Sequence, residues 1–298
     1  MADGSGSSPG RNSTIWYGDG QVMTRRGARH ARRAASLIAA GALGAVLLGG
    51  PSDTAAAQAA AGHSTPFKGT PAVGALFVKA NGHLGRHFCT ASVVHSPREN
   101  LVITAAHCMV GRSLRPAGHI VFAPGYHSGK FPHGLWQVHA KFVDKRWASD
   151  RDPNDDVAFL VVGRPGRRIE KFTGTEVLGT GHQLPAQVQV IGYPDATRRP
   201  ITCAGPASSY DHGKLRQLEF DCDGYTDGTS GGPFLADINA KTGDGSVIGV
   251  IGGYQQGGNT PSISYSSKFL ANVRALYKIA TAAQASQEPG RRSPPRAG

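Results

Sequence analysis

Gly228-Thr229-Ser230-Gly231-Gly232-Pro233 is the stretch on which the reading of this chain turns. A serine set among glycines can be pressed close to another backbone. Glycines also allow dihedrals that leave consecutive N–H groups pointing into one small space. Acyl transfer needs that combination of an oxygen nucleophile and nearby N–H donors. Taken alone, the hexapeptide reads equally well as a serine in a flexible turn. Two upstream stretches decide against this: Leu101-Val102-Ile103-Thr104-Ala105-Ala106-His107-Cys108 and Asp156-Val157-Ala158-Phe159-Leu160-Val161-Val162. Each is an apolar β-type run with a histidine or an aspartate at one end.

The order of these residues narrows the fold. Gly-x-Ser-x-Gly also marks the nucleophile turn of α/β-hydrolases, where the histidine follows the serine. The last histidine here is His212, so the order is His, Asp, Ser, which belongs to the double β-barrel arrangement. With Phe88-Cys89-Thr90-Ala91-Ser92 and Thr104-Ala105-Ala106-His107-Cys108, the chain resembles the trypsin-like (chymotrypsin-fold) serine peptidases of the secreted bacterial kind. Ala123-Pro124-Gly125-Tyr126, Pro132-His133-Gly134-Leu135-Trp136 and Val190-Ile191-Gly192-Tyr193-Pro194 are similar to the branch that contains glutamyl endopeptidases.

The resemblance implies an all-β fold of two six-stranded antiparallel β-barrels of chymotrypsin type with a C-terminal helix. It also implies a catalytic triad. Ser230 is expected as the nucleophile and His107 as its base. Asp156 would orient the imidazole, and the N–H groups of Gly228 and Ser230 would form the oxyanion hole. Asp152 and Asp155 compete for the acid role, and Asp156 is preferred because it abuts the apolar strand. Gly224 and Tyr225, with Val250, Ile251, Gly252 and Gly253, are the expected substrate-binding residues. The backbone from Ile251 to Gly253 would pair with an extended substrate. The chain also departs from the family pattern. Thr229 stands where trypsin-like zymogens carry an aspartate that pairs with a newly cut N-terminus. Gly224 stands where trypsin has the aspartate that selects Arg or Lys. Val247 to Gly253 lacks the histidine of glutamyl endopeptidases. Neither basic nor acidic specificity is supported.

Residues 1–61 read as a leader. Arg25, Arg26, Arg29, Arg32 and Arg33 precede the apolar Ala34 to Leu48, and Ala55 to Ala61 offers small-residue cleavage sites, the pattern of a secretory signal with Met23 as an alternative start. The apolar run is shorter than the roughly 20 residues of a membrane span. A surface protein that keeps its leader as an anchor is the competing reading; export to the extracellular space is the one adopted. Residues 62–282 form the expected peptidase domain, roughly 220 residues long, and 283–298 a disordered tail rich in Pro and Arg. Short apolar runs separated by turn signals fill the domain, drawing on the chain's 41 glycines and 19 prolines, a rhythm of barrels or sandwiches. One helix is expected, Ser267 to Ala280, with Phe269, Val273, Leu276 and Ala280 on one face.

Four cysteines in an exported domain imply two disulfides, with three connectivities available. Pairing sequence neighbours, Cys89 with Cys108 and Cys203 with Cys222, closes two loops of equal span, each worth about 3 kcal/mol. No Cys-x-x-Cys or spaced histidine pair points to a metal, and no cofactor is expected. Of the formal +12, about +7 lies in 62–282, since six basic and three acidic residues fall in 1–61 and three and one in 283–298. That domain has no basic run interleaved with aromatics, so nucleic acid is not an expected partner. The expected partner is a protein or peptide substrate, met by a monomer with no stable membrane association once the signal is removed. A catalytically silent binding protein on the same fold is the alternative function.

Overall fold

The computed structural model of the chain describes residues 14–17, 62–109 and 119–286. The expected signal segment and the end of the tail lie outside the described residues. The strands run in chain order as β1 (Thr14–Tyr17), β2 (Gly62–His63), β3 (Thr65–Pro66), β4 (Val73–Ala80), β5 (His83–Val94), β6 (Leu101–Thr104), β7 (His119–Pro124), β8 (Trp136–Val143) and β9 (Ala158–Gly163). They continue as β10 (Val177–Leu178), β11 (Ala186–Gly192), β12 (Ile201–Tyr210), β13 (Gln217–Asp223), β14 (Pro233–Ala236), β15 (Ser246–Val250) and β16 (Ile263–Ser267). The helices are α1 (Lys145–Asp150), α2 (Glu170–Thr173) and α3 (Ala271–Ser286).

Strands β4 to β9 close into a six-stranded antiparallel barrel, because β8 pairs with both β7 and β9. The uninterrupted apolar runs have a direct cause. Leu101 and Ile103 of β6 pack in one core and Val102 in another, and Phe159 and Val161 of β9 are split from Leu160 and Val162 in the same way. A strand buried on both faces has no polar positions to alternate with. Strands β6 and β9 are neighbours, with Thr104 opposite Ala158. That register places His107, just past the end of β6, beside Asp156, just before β9.

The second sheet contains β11 to β16 together with β2, β3 and β10. Its six principal strands do not close by a ladder. The seam between β15 and β16 is joined by Gly252 N–H donating to Tyr265 O (2.9 Å) and Val250 N–H to Ser266 Oγ (2.8 Å). Strand β12, Ile-Thr-Cys-Ala-Gly-Pro-Ala-Ser-Ser-Tyr, carries little of the apolar signature of a strand and is held by its pairing with β11 and β13.

Three boundaries differ from expectation. The C-terminal helix starts at Ala271, because Ser267 is held in β16 opposite Gln217. It continues to Ser286, into the expected tail, through an alanine-rich stretch of high helix propensity. Thr14–Tyr17, inside the expected leader, adds a parallel strand to β8. Strand β7 pairs only with Trp136 and Gln137, so the backbone edge at Ala140–Val143 is open to β1. Val273, Leu276 and Ala280 of α3, with Phe269 just ahead of the helix, lie in the core shared with Phe159 and Val161, which docks α3.

Candidate active site

Asp156 follows a single 3-10 turn, Pro153–Asp155, capped by the Asp152 side chain, which accepts from Asn154 N–H (3.0 Å). The Asp156 side chain is fully buried and the His107 side chain is 12% exposed. One carboxyl oxygen accepts from His107 N–H (2.7 Å); the other accepts from His107 Nδ1 (2.7 Å) and from Gly253 N–H (2.8 Å). An accepting oxygen opposite Nδ1 requires the hydrogen there, so in the neutral imidazole it is Nε2 that carries the lone pair. Trp147 of α1, 3% exposed, places its ring 6.4 Å from the imidazole. The competing aspartates are otherwise engaged. Asp152 is the cap, and Asp155 faces away, accepting from Arg146 Nη2 (2.7 Å) and Asn272 Nδ2 (2.8 Å). Burial raises the Asp155 carboxyl above the ordinary range.

The serine loop is held peptide by peptide. Asp227 O accepts from Asp195 N–H (2.8 Å), Gly228 O from Thr90 Oγ1 (3.0 Å), Thr229 O from Gly232 N–H (2.9 Å) and Ser230 O from Thr90 N–H (2.7 Å). A trans peptide points its C=O and N–H in opposite directions. Tying Asp227 O and Thr229 O therefore sets the directions of the Gly228 and Ser230 N–H groups. Neither N–H makes a hydrogen bond among the described residues, whereas Thr229 N–H goes to Thr226 O and Gly231 N–H to Ile251 O. Gly228 has φ +91°, and a Cβ there would lie 2.5 Å from Asp195 N. A side chain at Gly231 would collide with Thr104 Oγ1 and Thr90 O. Ser230 O also lies 3.8 Å from Cys108 Sγ, next to His107. No hydrogen bond joins Ser230 Oγ to His107 Nε2 in this geometry, a bond that is often long before substrate binds. Thr229 donates its hydroxyl to Thr226 O (2.7 Å), so the position of the family's aspartate is satisfied locally.

The expected substrate-binding residues divide. The side chains of Val250 and Ile251 are in the cores. Tyr225 is buried with its hydroxyl donating to Val190 O (2.8 Å), as a buried phenol needs an acceptor, so its side chain does not face a cleft. Gly224 is covered by Ser64, whose Oγ occupies the space a side chain would take. The expected pairing edge is narrower than Ile251–Gly253. Both polar groups of Ile251 are bonded to Gly231 and Gly232, Gly252 N–H to Tyr265 O and Gly253 N–H to Asp156. The Gly252 carbonyl remains without a partner among the described residues. Thr90, the Tyr193–Asp195 backing loop and Trp147 went unrecognised in the sequence. Their contacts cross more than a hundred positions in the case of Thr90 with Gly228 and Tyr193, and no spacing encodes them.

The cysteines pair as Cys89–Cys108 and Cys203–Cys222. Ligand atoms of Cys89, His107 and Cys108 lie within 4.8 Å of one another. The two sulfurs are bonded to each other, however, and a disulfide offers no thiolate to a metal.

A closed barrel and a second β-sheet, with a histidine–aspartate pair on one and a glycine-flanked serine on the other, define the chymotrypsin class of folds. Residues 89–250 match the trypsin-like peptidase domain, and the chain belongs to that family. The extracellular metalloprotease of Bacillus subtilis (strain 168) is 25% identical over 132 residues, 44% of this chain and 40% of the relative's own length. The chain thus matches less than half of that relative. Among solved structures, protease Anisep from Arthrobacter nicotinovorans is similar with a TM-score of 0.62 at 22% identity, covering 74% of this chain and 99% of its own. A thermostable serine protease, AL20, from an extremophilic microorganism gives 0.60 at 24% identity over 72% and 98%. A Glu endopeptidase gives 0.58 at 15% identity over 75% and 98%. Among the described residues no helix is long and apolar enough to cross a membrane.

Proposed function

We propose that this chain is a secreted serine endopeptidase that hydrolyses peptide bonds through an acyl-enzyme. The observation that carries the reading is the Asp156 carboxyl holding His107 by two hydrogen bonds, beside a serine loop with two N–H groups left open. Ser230 Oγ attacks the scissile carbonyl carbon while His107 Nε2 takes the hydroxyl proton. The carbonyl oxygen, now an oxyanion, is held by the N–H groups of Gly228 and Ser230. Collapse breaks the C–N bond. The amine leaves with the proton from His107, and the acyl group stays on Ser230. Water then attacks this ester and passes a proton to Nε2. The acid is released as Ser230 regains its proton. Asp156 keeps Nδ1–H oriented and stabilises the imidazolium in both halves.

The leader with its basic and apolar regions, the two disulfides and the extracellular relative support export. The Gly252 carbonyl is the group suited to receive a substrate N–H next to the scissile bond. The test is Ser230→Ala in the mature protein, assayed on casein with circular dichroism as a check of folding. Activity should fall roughly 10³-fold or more with the fold retained. Labelling of wild type, and not of the variant, by a serine-directed phosphonate should accompany it. An unlabelled, inactive but folded wild type would favour the silent binding protein instead.

A further inference from the structure

The glycines that let the serine loop adopt its shape do nothing to keep it there. Gly228 at φ +91° and Gly231 at φ +81° have wide alternatives open to them. The loop therefore needs a clamp from outside, and one buried side chain of the first barrel supplies it. Thr90 of β5 is fully buried. Its hydroxyl donates to Gly228 O (3.0 Å) and accepts from Tyr193 N–H (2.9 Å), which uses its one donor and an acceptor. Its own N–H donates to Ser230 O (2.7 Å), and its carbonyl accepts from Thr104 Oγ1 (2.8 Å). One residue thus touches the carbonyls of both residues whose N–H groups are open, and also the loop whose Asp195 N–H holds Asp227 O. Its neighbours join it to the other half of the site, since Cys89 is bridged to Cys108 beside His107.

We propose that Thr90 is a positioning residue for the oxyanion hole: its hydroxyl locks the Gly228–Thr229 peptide against Tyr193, and because that peptide lies between the two that carry the Gly228 and Ser230 N–H groups, it limits how far either can turn. The inference rests on the reading of Ser230 as nucleophile. Without the hydroxyl, Gly228 O would be a buried carbonyl with no donor, and the peptide would turn to find one.

The test compares Thr90→Val, close in shape but without the hydroxyl, with Thr90→Ser, which keeps it, in the mature full-length enzyme. On a peptide amide, T90V should lose about 10- to 100-fold in kcat with KM changed less than about 3-fold, a fraction of the loss from deleting an oxyanion donor outright. Inhibition by a peptide boronic acid, which places an oxygen in the hole, should weaken by a similar factor, while binding of the matching product peptide should not change. T90S should recover kcat to within about 3-fold of wild type. If T90V does not fold, T90S against Thr90→Ala carries the same contrast, because both lack the methyl and one keeps the hydroxyl. Equal kcat in wild type and T90V, or in T90S and T90A, overturns the proposal. So does a loss in T90V that T90S does not recover. A wild type whose activity survives Ser230→Ala overturns the nucleophile reading and this inference together. A Ser230-dependent enzyme indifferent to the Thr90 hydroxyl overturns the inference alone.

Discussion

Asp156 has three N–H donors on two oxygens, and two of them come from the residue it orients. This makes Asp156→Asn an informative substitution. The amide can still fill the space, but its NH2 group must face either Nδ1 or a backbone N–H. Facing Nδ1, it drives the imidazole into the tautomer that cannot accept from Ser230. Activity should fall by about 10⁴-fold with little change in melting temperature, as in other enzymes where this aspartate has been changed. A variant within tenfold of wild type would remove Asp156 from the mechanism. Asp155→Asn should behave differently. It loses an ion pair with Arg146 away from the imidazole, so its effect should appear in stability more than in kcat.

At the level of elements, two disulfides and one buried carboxyl tie strands together. Cys89–Cys108 joins β5 to the segment carrying His107, and Cys203–Cys222 joins β12 to β13. Each closes a loop of similar span, so replacing either pair by serine should cost about 3 kcal/mol. Only the first replacement should also lower kcat in molecules that remain folded, which active-site titration beside thermal melts would separate. The carboxyl is that of Glu176. Its backbone bonds to Val93 O and His95 N–H, and its side chain accepts from Gly245 N–H (2.5 Å), stitching the end of β5 to the β14–β15 hairpin. Burial pushes this carboxyl up to about 8, with the nearby Asp244 adding to the rise. The native state therefore holds a proton that the unfolded chain gives up near pH 4.5. Stability should fall as pH rises from about 4.5 to about 8 and then level off, losing ~1.4 kcal/mol for each pH unit in that interval. Glu176→Gln keeps the acceptor for Gly245 and has no proton to lose. Its melting temperature relative to wild type should be higher at pH 9 than at pH 5; parallel pH curves would discard the argument.

Over the whole molecule, α3 closes a core that neither sheet covers alone. Phe269, Val273, Leu276 and Ala280 pack with Phe159 and Val161 of the barrel and with Leu235 and Val250 of the second sheet. Asn272 in its first turn also bonds Asp155 beside the candidate acid. Leu276→Ala should cost about 2–5 kcal/mol in denaturant unfolding. Truncation before Ala271 should abolish cooperative unfolding, and a truncated protein that melts sharply would show the helix to be dispensable.

What the sequence by itself determined was the set of strong local signals. The doubly buried strands show as unbroken apolar runs, the helix as a 3.6-residue period, and the candidate histidine and serine as residue types set in runs that chain order assigns to one fold. Of the three connectivities open to four cysteines, the pairing of sequence neighbours is the one expected and the one formed. Tertiary structure alone decided the rest. Three nearby aspartates compete in the sequence, and abutting the strand favours Asp156, but only the Thr104–Ala158 register turns Asp156 toward His107 while Asp155 goes to Arg146. Tyr225 and Ile251 read as cleft residues until packing draws their side chains into a core. Thr90 reads as an ordinary strand threonine until folding brings Gly228 and Tyr193 within hydrogen-bond reach. The physical reason is common to all three: periodicity reports which face of an element is buried, whereas a hydrogen bond depends on which distant backbone arrives there, and only the closed fold determines that.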